Sequence, residues 1–317
     1  MRILITGGAG FIGSNFIHYV LEKYPDYEIV NLDKLTYCGN IDNLKDIEHH
    51  PNYTFIRGDV ADKKTVEKAM KGCDYVVHFA AESHVDNALK GPLIFTETNV
   101  LGTHVLLEVA LKEKIKKFHY VSTDETYGSI KEGSFSENDM LNPTNVYSAT
   151  KVGAEALCMA YYHTYGMHIT RTRCSNNVGP YQYPEKFIPK LITNALDNKP
   201  LPIYGTGKNV RDWIYVIDHC RAIDLVLHEG TPGEIYNVCT GNEIPNIEVA
   251  KRVLKELGKP ESLITFVEDR KGHDFRYSMK TDKIRKLGWK PLYSFDDCIK
   301  NAVKWYKENE WWWRKLI

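Results

Sequence analysis

The chain contains no Cys-x-x-Cys pair and no His-x-x-x-His pair. Its seven cysteines are scattered and odd in number, which argues against a disulfide framework or a zinc site and suits a reducing cytosol. The twelve histidines offer no spacing suited to a protein-held metal. An excess of charge of one sign is missing as well: 41 Lys plus Arg balance 41 Asp plus Glu. No global basic field draws the chain to nucleic acid or an anionic membrane, so an anionic ligand has to be held locally. No apolar run approaches the roughly 20 uncharged residues that a membrane helix needs. The opening "MRILITGG" holds too short an apolar segment for a signal peptide. Repeats, low-complexity tracts and Gly/Ser linkers are also absent. The expectation is a cytoplasmic protein without a bound metal, whose 317 residues can bury a large core.

What is present in the first half is alternation. Arg2–Thr6, Glu28–Leu32, Tyr53–Arg57, Asp74–Phe79 and Lys117–Ser122 read as strands rich in Ile, Val, Tyr and Phe. Helical patterns at Phe11–Lys23, Lys63–Lys71 and Val100–Lys114 separate them, and a long helix at Val146–Tyr165 precedes a strand at His168–Arg173. This order predicts an α/β fold, a doubly wound parallel sheet with right-handed crossovers. After residue 174 prolines become frequent and elements shorten. Residues 1–174 are expected to form a Rossmann-type domain, with some later segments returning to it, and 175–317 a smaller α/β substrate lobe. The aromatic end, Trp305 to Trp313, is interleaved with Lys, Glu and Asn. It reads as a helix packed on the body or on a second subunit, rather than as a membrane anchor.

"TGGAGFIGS", Thr6 to Ser14, joins the first strand to the first helix. In such a loop Gly7 permits the tight turn, Gly10 lets a pyrophosphate approach the backbone and Gly13 packs helix against strand. The phosphates then sit at a helix N-terminus, where free N–H groups and the helix dipole favour them. Asp33 lies at the end of the second strand, twenty residues beyond Gly13, where an acid accepts hydrogen bonds from the adenine ribose. An acid there repels a 2′-phosphate, which favours NAD over NADP; an Asp that only caps the next turn is the competing reading. Asp59 in "RGDV" is a candidate for the adenine edge.

"YSATK" places Tyr147 and Lys151 four apart on one helix face. An ammonium beside a phenol is expected to lower the phenol's pKa and prepare it to take a proton from a sugar hydroxyl. A chance surface pair is the alternative. "VSTDETYG", Val121 to Gly128, delivers Thr123, Asp124 and Glu125 at the end of an apolar run. Adjacent acids tend to split their pKa values, one neutral and one ionised, which is the division a general acid and a general base require.

With these motifs assembled, the chain resembles the extended short-chain dehydrogenase/reductases and, within them, the dTDP-glucose 4,6-dehydratases. The resemblance runs nearly end to end, through "GGAGFIGS", "DKLTYCGN", "FAAESHVD", "STDETYG", "YSATK", "CSNNVGPYQYPEKFIP", "LPIYGTGKNVRDWIYV" and "DRKGHD". The Asp-Glu pair after Ser-Thr is its most specific element. It implies a reaction in which C4 of a nucleotide-linked glucose is oxidised, Glu125 removes the C5 proton, Asp124 protonates the departing C6 oxygen, and hydride returns to C6. Thr123 would then hydrogen-bond the C4 oxygen beside Tyr147.

The resemblance also implies a cofactor shell of Phe11, Ile12, Asp33, Lys34, Leu35, Thr36, Asp59, Val60, Phe79, Ala80, Ala81, Glu82, Ser83, Thr98, Tyr147, Lys151 and Asn177. The substrate shell it implies is Ser83, Thr123, Asn176, Lys186, Phe187, Pro202, Ile203, Tyr204, Arg211, Asn246, Asp269, Arg270, Lys271, Gly272 and His273. Arginine suits the two phosphates through its planar fork of donors, although Arg211 has a surface pair with Asp212 as its competing role. Family members commonly dimerise through a helix bundle, here Val100–Lys114 and Val146–Tyr165. A UDP-glucose 4,6-dehydratase, a 4-epimerase and a UDP-glucuronate decarboxylase are the enzymatic alternatives, and a non-catalytic dinucleotide sensor is the distant one.

Overall fold

The computed structural model describes residues 1–84, 91–269 and 273–317. Its centre is a seven-stranded sheet formed by β1 (Arg2–Thr6), β2 (Glu28–Asp33), β3 (Tyr53–Arg57), β4 (Tyr75–His78), β5 (Lys117–Thr123), β6 (Ile169–Cys174) and, from far along the chain, β10 (Ile235–Val238). The strand order is β10-β6-β5-β4-β1-β2-β3, and every pairing in it is parallel. Helices cover both faces because the inner strands are apolar on both sides. Leu4, Val76 and Phe118 face one core with α2 (Lys63–Met70), α3 (Gly102–Lys112) and α4 (Val146–Tyr165). Ile3, Ile5 and Val77 face the other, where α1 (Phe11–Lys23) meets α6 (Val216–Glu229). The doubly wound α/β sheet is thus the one the alternation predicted.

The order reverses between β1 and β4, the point at which connections leave in opposite directions. In open parallel sheets a crevice opens there, beyond the carboxyl ends of the strands. The functional loops all leave from this edge.

The remaining elements form two small sheets. One has the order β11 (Glu243–Pro245), β9 (Val210–Tyr215), β7 (Asn176–Val178); the other pairs β12 (Ile264–Val267) with β8 (Leu201–Tyr204). They pack with α5 (Phe187–Leu196), α7 (Asn246–Leu257), α8 (Phe295–Glu308) and α9 (Glu310–Trp313) around a separate apolar cluster. Trp312 and Trp313 are both buried in that cluster, so the aromatic tail is a packed element of the body. No helix among the described residues is long and apolar enough to cross a membrane.

Two local expectations change. The helix expected over Val100–Lys114 is a π-helical segment, Thr96–Leu101, that runs into α3. It stops at Lys112 because Lys114 takes a positive φ of 56° and the Ile115 N–H closes back onto the Ala110 carbonyl. Arg211 does not pair with Asp212: its guanidinium donates to the carbonyls of Val210, Asp274 and Phe275 and stacks on the Tyr277 ring. Asp212 is turned to Ser175, Thr240 and Gly241.

Candidate active site

A cleft runs along the carboxyl edge of the sheet. At one end lies the β1–α1 loop. Gly7 has φ of 73°, and a Cβ there would stand 2.6 Å from the Ala80 nitrogen; a Cβ on Gly13 would stand 2.3 Å from the Gly7 carbonyl oxygen. Neither position has room for a side chain, and the loop lies flat against the strand ends for that reason. Gly10 caps α1 with extended backbone, and no acid occupies the first turn of that helix. The orphan N–H groups and the positive end of the dipole therefore face the cleft without a competing carboxylate.

Asp33 closes this end. Its two oxygens accept from the Ala9 and Leu35 N–H groups at 2.9 and 2.8 Å. Burial raises its pKa, and the two backbone bonds oppose that rise. Leu35 is held at a positive φ of 57° and is the one residue of the expected cofactor shell that does not line the cleft. Lys34 pairs with Asp59 at 2.6 Å. Glu82 is held by Asn99, which accepts from the Glu82 N–H at 2.8 Å and donates to its carbonyl at 3.0 Å.

At the other end, β5 finishes in Thr123 and the chain turns through a short 3-10 segment, Asp124–Tyr127. The Thr123 hydroxyl starts that turn by accepting from the Glu125 N–H at 3.3 Å, and it also donates to Asp124 Oδ1 at 3.2 Å. Asp124 is buried, while Glu125 is partly open to the cleft. Burial first, and the neighbouring Glu125 second, push the Asp124 carboxyl up to about 8, against the pull of Arg211 and the Thr123 hydroxyl. Asp124 therefore holds its proton at neutral pH, through burial first and the adjacent acid second.

Tyr147 and Lys151 project from the first turns of α4 onto the same place. The Thr123 hydroxyl is a polar neighbour of the Tyr147 phenol and works against the rise of its pKa. The Lys151 ammonium donates to the Val121 carbonyl at 2.7 Å and lies 4.3 Å from the Tyr120 ring centre. Burial draws its pKa down to about 8, with Glu155 opposing. The expected fall in the phenol's pKa does not occur. Burial, then the Glu125 charge, hold Tyr147 well above its ordinary value, because desolvation outweighs the nearby cation and the ammonium is turned to a backbone carbonyl.

Asn145 was not foreseen. Its carboxamide oxygen accepts from the Ser148 N–H, capping α4, and its Nδ2 reaches Glu125 Oε2 at 3.4 Å. The sequence signal was an Asn three residues before a Ser at a helix start, a capping pattern; the reach to Glu125 needed the fold. Cys38, Cys174, Ser175, Gln182 and Tyr183 also line the cleft without having been expected there.

Of the expected substrate shell, Ser83, Thr123, Asn176 and Lys186 line the cleft. Phe187 stacks on Trp213 at 6.2 Å. Tyr204 is exposed and meets the His273 ring edge-on at 6.1 Å, and His273 bonds Asp269 at 2.7 Å. Ile203 is fully buried among the second apolar cluster, so only its backbone is available to a ligand. Pro202 lies beside it in β8. Asn246 begins α7 with its side-chain oxygen buried and without a hydrogen-bond partner among the described residues, as is that of Asn176. Arg270, Lys271 and Gly272 lie outside the described residues. Among the described residues no group of three or more His, Cys, Asp and Glu side chains is placed to hold a metal ion.

The family model for GDP-mannose 4,6 dehydratase matches residues 4–302. A dTDP-glucose 4,6-dehydratase from Streptomyces niveus is 46% identical over an alignment covering 100% of this chain and 96% of that protein. The chain belongs to the dTDP-glucose 4,6-dehydratase family. A relative from Haloferax volcanii, a low-salt glycan biosynthesis protein, is 48% identical across 96% of this chain and 98% of its own. The crystal structure of the Streptomyces venezuelae dTDP-glucose 4,6-dehydratase with NAD and TYD bound superposes with a TM-score of 0.98 at 48% identity, covering 100% of both chains.

Proposed function

We propose that this chain is a hydro-lyase that converts dTDP-glucose to dTDP-4-keto-6-deoxyglucose and water, with NAD as a recycled cofactor. The observation that carries the reading is the pairing of a buried, protonated Asp124 with Glu125, both beside Tyr147 and at the end of a dinucleotide cleft. The cleft fits a dinucleotide on its own geometry. Gly7 and Gly13 leave backbone where a Cβ would collide, the α1 terminus faces it, and Asp33 offers a carboxylate to ribose hydroxyls. When bound there, the nicotinamide supplies a reversible hydride acceptor at the sugar.

The protein's own groups supply the proton chemistry. Tyr147, next to Thr123, takes the proton of the C4 hydroxyl as the phenolate; burial opposes that form, and the positive charge of a bound nicotinamide would favour it. Once C4 is a ketone the C5 proton is acidic, and Glu125 accepts it. Asp124 carries a proton to give to the C6 oxygen as water leaves, and a carboxyl with its pKa near the working pH suits that transfer. A 4-epimerase has no use for an acid at C6, and the buried Asp124 speaks against it. Residues after 174 hold the nucleotide end, with Lys186 and Asn176 in the cleft and Arg211, Tyr204, Asn246, Asp269 and His273 on the second lobe.

We further place the enzyme in the cytoplasm, since all seven cysteines are free thiols. A homodimer through α4 and the segment leading into α3 is supported by exposed Leu101, Val146 and Tyr165 on those helices; sedimentation as a monomer at micromolar concentration contradicts it.

The deciding experiment is mass spectrometry of dTDP-glucose incubated with purified protein and no added NAD, run beside UDP-glucose. Loss of one water from the dTDP sugar supports the reaction and a retained cofactor. Preference for UDP-glucose keeps the chemistry and changes the nucleotide. No mass change with either sugar, even after NAD is supplied, rejects the reading.

A further inference from the structure

We infer that Trp312, five residues from the last residue of the sequence, is a positioning residue for the dinucleotide loop, acting through Asn43. This role rests on NAD being the cofactor of the cleft. Trp312 is 1% exposed, and its indole N–H donates to Asn43 Oδ1 at 2.8 Å across 269 residues of sequence. Asn43, also 1% exposed, donates its Nδ2 to the Ala9 carbonyl at 2.8 Å. The Asn40 N–H bonds the same carbonyl at 2.9 Å, and the Ala9 N–H goes to Asp33 Oδ2 at 2.9 Å.

Ala9 sits between Gly8 and Gly10 in the loop that opens α1. Glycine-flanked backbone has little stiffness of its own, and Ala9 presents no long side chain to anchor it. Its conformation is imposed from outside, by Asn40 and Asn43 on the carbonyl and by Asp33 on the N–H. Asn43 in turn is oriented by Trp312, because a carboxamide whose oxygen takes a buried indole N–H has its nitrogen pointed the other way. Lys315 pairs with Asp42 next door and holds the same contact from the surface.

A second route runs parallel. The Trp312 ring packs edge-on against Tyr181 at 6.0 Å, and Tyr181 stacks on His18 of α1 at 5.9 Å. The Pro180 carbonyl accepts from Asn15 of the same helix at 3.0 Å. The tail therefore braces both the loop and the helix whose N-terminus faces the phosphates. A loop held in its bound shape loses less freedom on binding, and part of the affinity for the dinucleotide depends on this brace.

The test is the NAD dissociation constant of nucleotide-freed protein, by calorimetry, with melting temperature recorded alongside. Trp312→Phe keeps an aromatic ring and removes the donor; one lost buried hydrogen bond corresponds to about tenfold weaker NAD binding. Trp313→Phe is the control. Its indole N–H, equally buried, goes to the Tyr306 carbonyl at 2.8 Å and makes no hydrogen bond to Asn43 or Ala9. It is expected to lower the melting temperature similarly while leaving NAD affinity within about twofold of wild type. Wild-type NAD affinity in Trp312→Phe, or equal weakening in both variants, overturns the inference. Wild-type protein that binds no NAD overturns the cofactor reading instead. Should Trp312→Phe fail to fold, Asn43→Leu cuts the same link and is held to the same tenfold expectation and the same reversal.

Discussion

Arg173 and Glu155 form a two-pronged ion pair, Nε to Oε1 at 3.0 Å and a terminal nitrogen to Oε2 at 2.5 Å, buried directly beneath the acidic turn. Ser122, the residue before Thr123, donates to the same Glu155 at 2.5 Å. Tyr127, the residue that ends the turn, accepts from Arg173 at 2.6 Å and donates to Asn237 at 2.8 Å. Both ends of the Thr123–Glu125 segment are thus tied to one pair, and Glu155 lies one helical turn beyond Lys151. Removing one partner leaves a buried charge unmatched, which costs about 3–5 kcal/mol. Glu155→Gln and Arg173→Met are each expected to lose that much in urea unfolding. The double variant is expected to recover part of the loss, and additive losses in the cycle would show that the pair acts as two independent contacts.

The proton roles separate the three reactive side chains. Tyr147→Phe removes the group that exchanges the C4 proton, so addition of dTDP-glucose should leave the nicotinamide absorbance nearly unchanged. Asp124→Asn and Glu125→Gln should still develop that absorbance and then stall, with overall turnover down roughly 100- to 10,000-fold. Identical failure of all three before oxidation would rule out the assignment of roles.

Much of this was legible because it is local. The Gly7, Gly10 and Gly13 spacing, Asp33 at a strand end, Tyr147 four residues before Lys151, and adjacent Asp124 and Glu125 all carry their meaning within a few positions. What escaped reading is set by packing between distant segments. Trp312 to Asn43, Arg173 to Glu155 and Asn145 to Glu125 are contacts that no periodicity announces. The Tyr147 phenol was misjudged for the same reason. The pairing with Lys151 was visible, but the burial that outweighs it was not. The π-helical turn at Thr96–Leu101 is too short for its period to differ detectably from that of an α-helix.

Asp33 gives a further test. It serves the loop through Ala9 and Leu35 and faces the cleft with the same carboxylate. Asp33→Asn retains one acceptor oxygen, loses the charge and turns a donor toward one of the two N–H groups. NAD binding is expected to weaken about tenfold, on the scale of one lost charged hydrogen bond. The repulsion of a 2′-phosphate falls at the same time, so the ratio of NADP to NAD dissociation constants should shrink. An unchanged ratio would show that the charge of Asp33 does not set cofactor choice.

The protonation of Asp124 reaches into both rate and stability. An acid held near 8 gives up its proton as pH rises through that value, so elimination should slow above about pH 8 while oxidation continues. Lys151 loses its charge in the same range, and the two are told apart by what accumulates. Oxidised sugar with persistent nicotinamide absorbance at pH 9 points to Asp124, and slow onset of that absorbance points to Lys151. The stability sign follows from the same shift. The unfolded carboxyl titrates near 4, so the folded state's hold on the proton stabilises fully below that pH and is lost progressively as pH rises to about 8. Asp124→Asn has no proton to lose. Its unfolding free energy should therefore gain on wild type between pH 4 and 8 and then level off, by a margin on the order of a few kcal/mol. A constant difference across that range would mean that Asp124 is ionised in the folded enzyme, and the role of acid at C6 would pass to another group.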